Sequence, residues 1–186
     1  DGRRWRQVRA SERQRTSGQQ RPAWPGTAMN VAASQRLRAL GWPLAVAAVV
    51  VAVDQLTKHW ALNALDDGHV IGLVASLRLN LAFNRGMAFS QGDGIGPFIP
   101  ILAITVVAAL LMAVGRSSSR WFTLGVGLIV GGTLGNVGDR LFRGDGRLDG
   151  AVVDFIDVQW WPVFNIADAC IVVGAALLLL TSLRSR

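Results

Sequence analysis

The chain has 186 residues, of which 51% are hydrophobic and only 17% charged, with a formal net charge of +7. Its length fits one domain. The charged share falls below the roughly 25% of soluble domains, which excludes an ordinary soluble enzyme. Beyond the first forty residues, the apolar content excludes a disordered chain. A single cysteine, Cys170, excludes an internal disulfide and a cysteine-built zinc site.

Residues 1–41 carry nine arginines, two acids and many Ser, Gln and Pro, with no hydrophobic period. They read as a basic, disordered cytoplasmic tail. Residues 1–28 precede the first methionine, Met29, and need not belong to the native protein. Residues 42–186 form the expected membrane domain. An apolar run from Leu44 to Val53 follows Pro43 and continues to Leu62. It lacks a small-x-small cleavage site, so an uncleaved span over about 42–62 is expected. In the following loop, Ser76–Asn84 alternates with period two and predicts a half-buried strand, with Asn84-Arg85-Gly86 as a turn. Two uncharged stretches, 97–114 and 121–138, each reach the length of a membrane helix. A last span is expected over 162–183, with one charge inside it, Asp168. The fold class is therefore mainly α, with four transmembrane helices and a small extracytoplasmic β-element.

Charge asymmetry orients the spans. The tail, the loop Gly115–Arg120 and the C-terminus hold thirteen of the 19 basic residues and two of the 12 acids, a balance of +11 against −4 elsewhere. The positive-inside rule places both termini in the cytoplasm and loops 63–96 and 139–161 outside. Trp42, Trp60, Trp121, Trp160 and Trp161 fall at span ends, as an interfacial belt requires. The excess arginine thus reports topology, and no nucleic-acid partner is expected.

The helical rise places Asn136 and Asp168 at one depth, roughly 22 Å above the cytoplasmic ends of their spans, with Lys58 at a similar level and Asp54 somewhat deeper. Asp139 and Arg140 follow a turn after Asn136. Ionisable groups in lipid cost a few kcal/mol each and face the bundle interior. Asp54 and Lys58 are an i,i+4 pair, equally consistent with a structural polar knot. Asp168 has no cation within helix-neighbour range in its own span, and a helix running from 162 would put Asn165 on its face. Gly127, Gly131 and Gly135 form a small-xxx-small ladder suited to close helix packing.

Val152-Val153-Asp154-Phe155-Ile156-Asp157 adds two carboxylates at the outer boundary. Two close carboxylates share one proton, because both cannot ionise cheaply side by side. One then serves as base toward water while the other protonates the substrate, which is the chemistry of peptide hydrolysis. On residue type and spacing, Asp168 is the first choice, and its partner is Asp139, Asp154 or Asp157.

Asp54-Gln55-Leu56-Thr57-Lys58, Asn84-Arg85-Gly86-Met87-Ala88-Phe89, Gly131 to Arg140, Val152-Val153-Asp154-Phe155 and Phe164-Asn165-Ile166-Ala167-Asp168 occur in that order. Over about 40–183 the chain resembles bacterial lipoprotein signal peptidase, the type II signal peptidase. That resemblance implies an aspartic peptidase of the inner membrane. Such an enzyme removes the signal peptide of prolipoproteins just before a diacylglyceryl-modified cysteine. It also implies Asp154 and Asp168 as the catalytic pair. Asp54, Lys58, Asn84, Gly86, Asn136, Asp139, Arg140 and Asn165 are implied in substrate binding and site support. The strand-forming first loop resembles the family's extracytoplasmic cradle.

Gly138 departs from the family, which often has a larger residue there, and Met87 replaces a common alanine. The longer stretch Phe142 to Ala151 lacks the ligand order and terminal Glu of a calcium loop, so a polar turn is expected. No metal and no cofactor are expected. The partners expected are lipidated prolipoprotein and membrane lipid, with the protein acting as a monomer. The competing reading is a proton- or ion-coupled small transporter with a polar relay, disfavoured by four spans without an internal repeat.

Overall fold

The structure is a computed structural model that describes residues 25–85, 98–114, 119–144 and 150–184, with side chains from Arg38 and, in the second helix, from Ile101. The chain divides into two units, Asp1–Arg36 and Leu37–Arg186. The second contains the fold described below. Its elements are α1 (Pro25–Ala64, which begins in the first unit), β1 (Ile71–Val74), β2 (Leu77–Asn84), α2 (Phe98–Val114), α3 (Arg120–Phe142), β3 (Val152–Asp157) and α4 (Ile166–Arg184).

Among the described residues, four helices thus occur, as the four expected spans require. Arg38–Ala64, Arg120–Phe142 and Ile166–Arg184 are long and apolar enough to cross a membrane, and α2 is a shorter apolar helix. Their bounds differ from those read off the sequence. The backbone is already helical at Pro25, well inside the expected tail. Residues 28–40 are rich in Ala, Arg, Leu, Gln and Met, all good helix formers, and contain no breaker. Pro43 lies inside α1 with its side chain fully buried. A membrane helix tolerates such a break where neighbouring elements cover it. α3 runs four residues past the expected end at Gly138, so Asp139 and Arg140 occupy its last turns.

α4 begins at Ile166 instead of 162. Phe164 forms a bridge with Ile156, its N–H donating to the Ile156 carbonyl over 3.0 Å. Pairing with β3 therefore holds this stretch extended, and Asn165 takes the N-cap position its type favours.

β1, β2 and β3 form an antiparallel sheet in that order. β2 matches the predicted strand closely, although its residues are uniformly half-buried rather than alternating, save for exposed Phe83. β3 lies in a stretch with no strand predicted, and it is the more deeply buried of the two. Ala82 pairs with Asp154 and Phe83 with Val153. Ala61, Leu65 and Phe155 form a cluster, joined by Ile71, Leu79, Leu81, Ile156 and Ile166, that seats the sheet on the end of α1 and the start of α4.

Helix α3 is the centre of the bundle. Apolar contact between helices gains little in lipid, so close packing and polar bonds must hold them together. The glycine ladder supplies the packing. A Cβ added at Gly131 would lie 2.6 Å from the Val50 Cβ, and one at Gly127 would lie 2.8 Å from the Pro43 carbonyl oxygen. That face meets α1. Gly125 and Gly132 bring the opposite face against Gly174 and Ala167 of α4. Many large apolar side chains are exposed, among them Trp42, Trp60, Trp121, Trp160 and Trp161, the residues expected in an interfacial belt.

Candidate active site

The polar residues in the expected layer converge into one hydrogen-bonded cluster. At its centre is Lys58, fully buried on α1. Its three ammonium protons have three acceptors: Asp54 Oδ2 at 2.8 Å, Asp139 Oδ2 at 2.9 Å and Asn136 Oδ1 at 2.8 Å. Asp54 and Asp139 are fully buried as well. A lone buried charge would cost several kcal/mol, so the cluster must be complete to persist. Among the described residues no buried side-chain nitrogen or oxygen lacks a hydrogen-bond partner.

Each carboxylate of the Lys58 pair also accepts one backbone N–H. Asp139 Oδ2 accepts from Val153 N at 3.2 Å, and Asp54 Oδ1 accepts from Ala167 N at 3.0 Å. These two N–H groups belong to the residues immediately before Asp154 and Asp168. Gly150 supports the first arrangement. Its N–H donates to the Arg140 carbonyl, and a Cβ there would lie 2.6 Å from the Asp139 carbonyl oxygen. The missing side chain therefore lets Gly150 lie directly against the end of α3.

Asp154 and Asp168 are joined through Asn165. The Asn165 Nδ2 donates to Asp154 Oδ1 over 2.7 Å, and the Asn165 backbone N–H donates to Asp168 Oδ2 over 3.2 Å. Asn165 Oδ1 accepts in turn from Asp168 N at 2.9 Å, completing a reciprocal capping box at the start of α4. Asn165 and Asp168 do meet, but through this cap and not as neighbours on one helix face. Asn136 Nδ2 donates to the second oxygen pair member, Asp168 Oδ1, over 2.8 Å, and Asn84 Nδ2 reaches Asp154 Oδ2 over 3.2 Å.

Asp154 is almost fully buried. Burial first, and the charge of nearby Asp168 second, push its carboxyl from the ordinary 3.8 up to about 7, against the opposing pull of Asn84 and Asn165. Arg140 is buried on α3, and the charges of Asp154, Asp139 and Asp168 all act on it.

The alternatives left open by the sequence now separate. Asp157 is bonded to Arg78 over 2.7 Å. Burial alone would push its carboxyl up, but this bond and one from Gln159 N–H outweigh it and hold the carboxyl below the usual range. Asp139 is committed to Lys58, Arg143 and Gln55. Of the three, Asp154 alone shares Asn165 with Asp168.

Nine of the ten residues singled out in the sequence meet here. Gly86 lies outside the described residues, as does 145–149 in the polar turn. Two further members were missed, Gln55 and Arg143. Gln55 Nε2 donates to Asp139 Oδ1 over 3.0 Å and to the Gly135 carbonyl over 3.2 Å. Arg143 Nε donates to Asp139 Oδ1 over 2.8 Å. The available signal was spacing, since Arg143 follows Asp139 by one helical turn. It was concealed because α3 was expected to end at 138.

The bundle and its buried polar cluster define an integral-membrane enzyme. Two solved structures described as bacterial membrane enzymes share the architecture. One gives a TM-score of 0.68 at 28% identity, covering 77% of this chain and 88% of that one. The other gives 0.67 at 27% identity, covering 78% and 95%. The profile of the family described as signal peptidase (SPase) II matches residues 46–184. A protein named lipoprotein signal peptidase from Rhodococcus jostii is 44% identical over 74% of this chain and 70% of its own length. One of the same name from Mycolicibacterium smegmatis is 42% identical over 90% of this chain and 72% of its own. The chain belongs to the signal peptidase II family and is a membrane peptidase that cleaves signal peptides. The transporter reading has no support.

Proposed function

We propose that this peptidase uses Asp154 and Asp168 as an aspartic dyad to cleave diacylglyceryl-modified prolipoproteins just before the lipidated cysteine. The observation that carries the reading is the Asn165 bridge, which ties one carboxylate on β3 to another on α4. With one proton between them, Asp154 is the natural holder, since its carboxyl keeps a proton up to about pH 7. Asp168, held by Asn136 Nδ2 and the Asn165 N–H, then acts as base toward water. Water attacks the scissile carbonyl as Asp168 takes its proton. Asp154 then protonates the leaving amine. Asn136, Asn165 and Asn84 hold the two carboxylates in register, and the Lys58 cluster supports them.

Residues 42–186 form the membrane peptidase domain, with both termini cytoplasmic and the dyad near the extracytoplasmic face of the cytoplasmic membrane. The distribution of arginine supports this placement. The substrate's signal peptide and diacylglyceryl group stay in lipid while water enters from outside. The test is cleavage of a lipidated prolipoprotein by wild type, Asp154→Asn and Asp168→Asn in detergent micelles. Both variants are expected to lose at least about 10³-fold in kcat while inserting normally. Wild-type cleavage by either would overturn the dyad.

A further inference from the structure

The buried cluster has an outer member that the dyad chemistry does not require. Lys58, Asp54 and Asp139 are each fully buried, so one ammonium faces two carboxylates. Arg143 supplies the second cation from the last turn of the α3 region, 2.8 Å from Asp139 Oδ1, with its side chain 27% exposed. Its Nη2 also donates to Gln55 Oε1 over 3.4 Å. This orients the Gln55 amide, whose Nε2 bonds the same Asp139 oxygen. Arg143 and Gln55 together occupy Oδ1, which leaves Oδ2 for Lys58 and for Val153 N–H.

Charge counting extends the point. The groups that face one another here are Asp54 and Lys58 of α1, Asp139 and Arg140 of α3, Arg143, Asp154 of β3 and Asp168 of α4. That is three cations and four carboxylates. A single proton on the Asp154–Asp168 pair makes the set neutral, and a low-dielectric site strongly favours that state.

We infer that Arg143 is a positioning residue: it completes the charge balance that leaves the dyad with one proton, and it holds Asp139 on the N–H beside Asp154. This rests on the dyad reading. Without the guanidinium the cluster gains a net negative charge, so the dyad binds its proton more tightly. Asp139 Oδ1 loses its charge-assisted bond, and Lys58 alone must serve both carboxylates. The carboxylate is then free to shift off the Val153 N–H and release the start of β3 that it held.

The experiment compares kcat, KM and the pH profile of wild type, Arg143→Gln, Arg143→Lys and Asp154→Asn, using the full chain in micelles with a lipidated prolipoprotein. Arg143→Gln keeps a hydrogen-bond donor but removes the charge. Its kcat is expected to fall about tenfold with KM nearly unchanged. The basic limb of its kcat profile is expected to move up by about half a pH unit. Arg143→Lys restores the charge, and should recover the wild-type limb and most of kcat. If Arg143→Gln matches wild type in kcat and in its basic limb, while Asp154→Asn is inactive, this inference alone fails. If Arg143→Lys behaves like Arg143→Gln, charge is not the operative property and the inference also fails. An active Asp154→Asn would instead remove the dyad on which it rests.

Discussion

Asn165 bonds to both aspartates with different atoms, its side-chain amide to Asp154 and its backbone N–H to Asp168. It also caps α4, and so ties the proposed dyad to the start of a helix. Asn165→Ala should cost about 1 kcal/mol as a lost cap. It should lower kcat by roughly 100-fold through misplacement of the pair. Thermal unfolding in detergent and steady-state kinetics check the two effects separately. Lys58→Met leaves two buried carboxylates facing each other. It is expected to destabilise by about 3–5 kcal/mol, read from denaturant or thermal unfolding. In the pH profile of the wild type, activity should fall as pH rises through about 7, where Asp154 loses the shared proton. A profile flat from about pH 5 to pH 9 would argue against Asp154 as the acid.

Among the elements, α3 governs the geometry, because it carries Asn136, Asp139 and Arg140 and packs on two helices at once through opposite glycine faces. Gly131→Val would drive a side chain into Val50 and Ala47 of α1. Overpacking of this kind costs about 1–3 kcal/mol. Activity should fall with stability, since Asp54 and Lys58 would move with α1. Gly138→Val provides the control. A Cβ there meets nothing within 4 Å, so its unfolding midpoint should stay near wild type.

Element type was readable from the sequence where an apolar run reaches the length of a membrane helix or where apolar and polar residues alternate. The apolar spans and the alternating strand Leu77–Asn84 are such segments. Element ends were less readable. The start of α4 was misplaced because Phe164 pairs with β3, a partner remote in sequence. β3 itself was missed because Val152–Asp157 is buried rather than alternating, and a short apolar run does not announce its period.

For the molecule as a whole, two carboxylates outside the spans pull stability in opposite directions. Asp154 is held protonated in the fold between its ordinary 3.8 and about 7, whereas the unfolded chain is ionised there. The native state binds the extra proton, so this contribution falls as pH rises through that window. Asp157 is held below the usual range, so its contribution is lost on acidification. Its partner Arg78 is 40% exposed, which makes this second effect small through screening. The unfolding midpoint of wild type should therefore drop between about pH 4 and pH 7, and Asp154→Asn should flatten that drop.

By itself the sequence determined the helical membrane class, the set of polar residues at one depth and the motifs that resemble signal peptidase II. Hydrophobic length, charge asymmetry and residue order are properties of the chain alone. Only the tertiary structure decided which carboxylate faces Asp168, because Asp139, Asp154 and Asp157 differ in partners rather than in type. It also decided that Gln55 and Arg143 belong to the cluster and that Asn165 is a cap. Hydrogen bonds join groups brought together by packing, and spacing along one strand of sequence does not encode the distance between two helices.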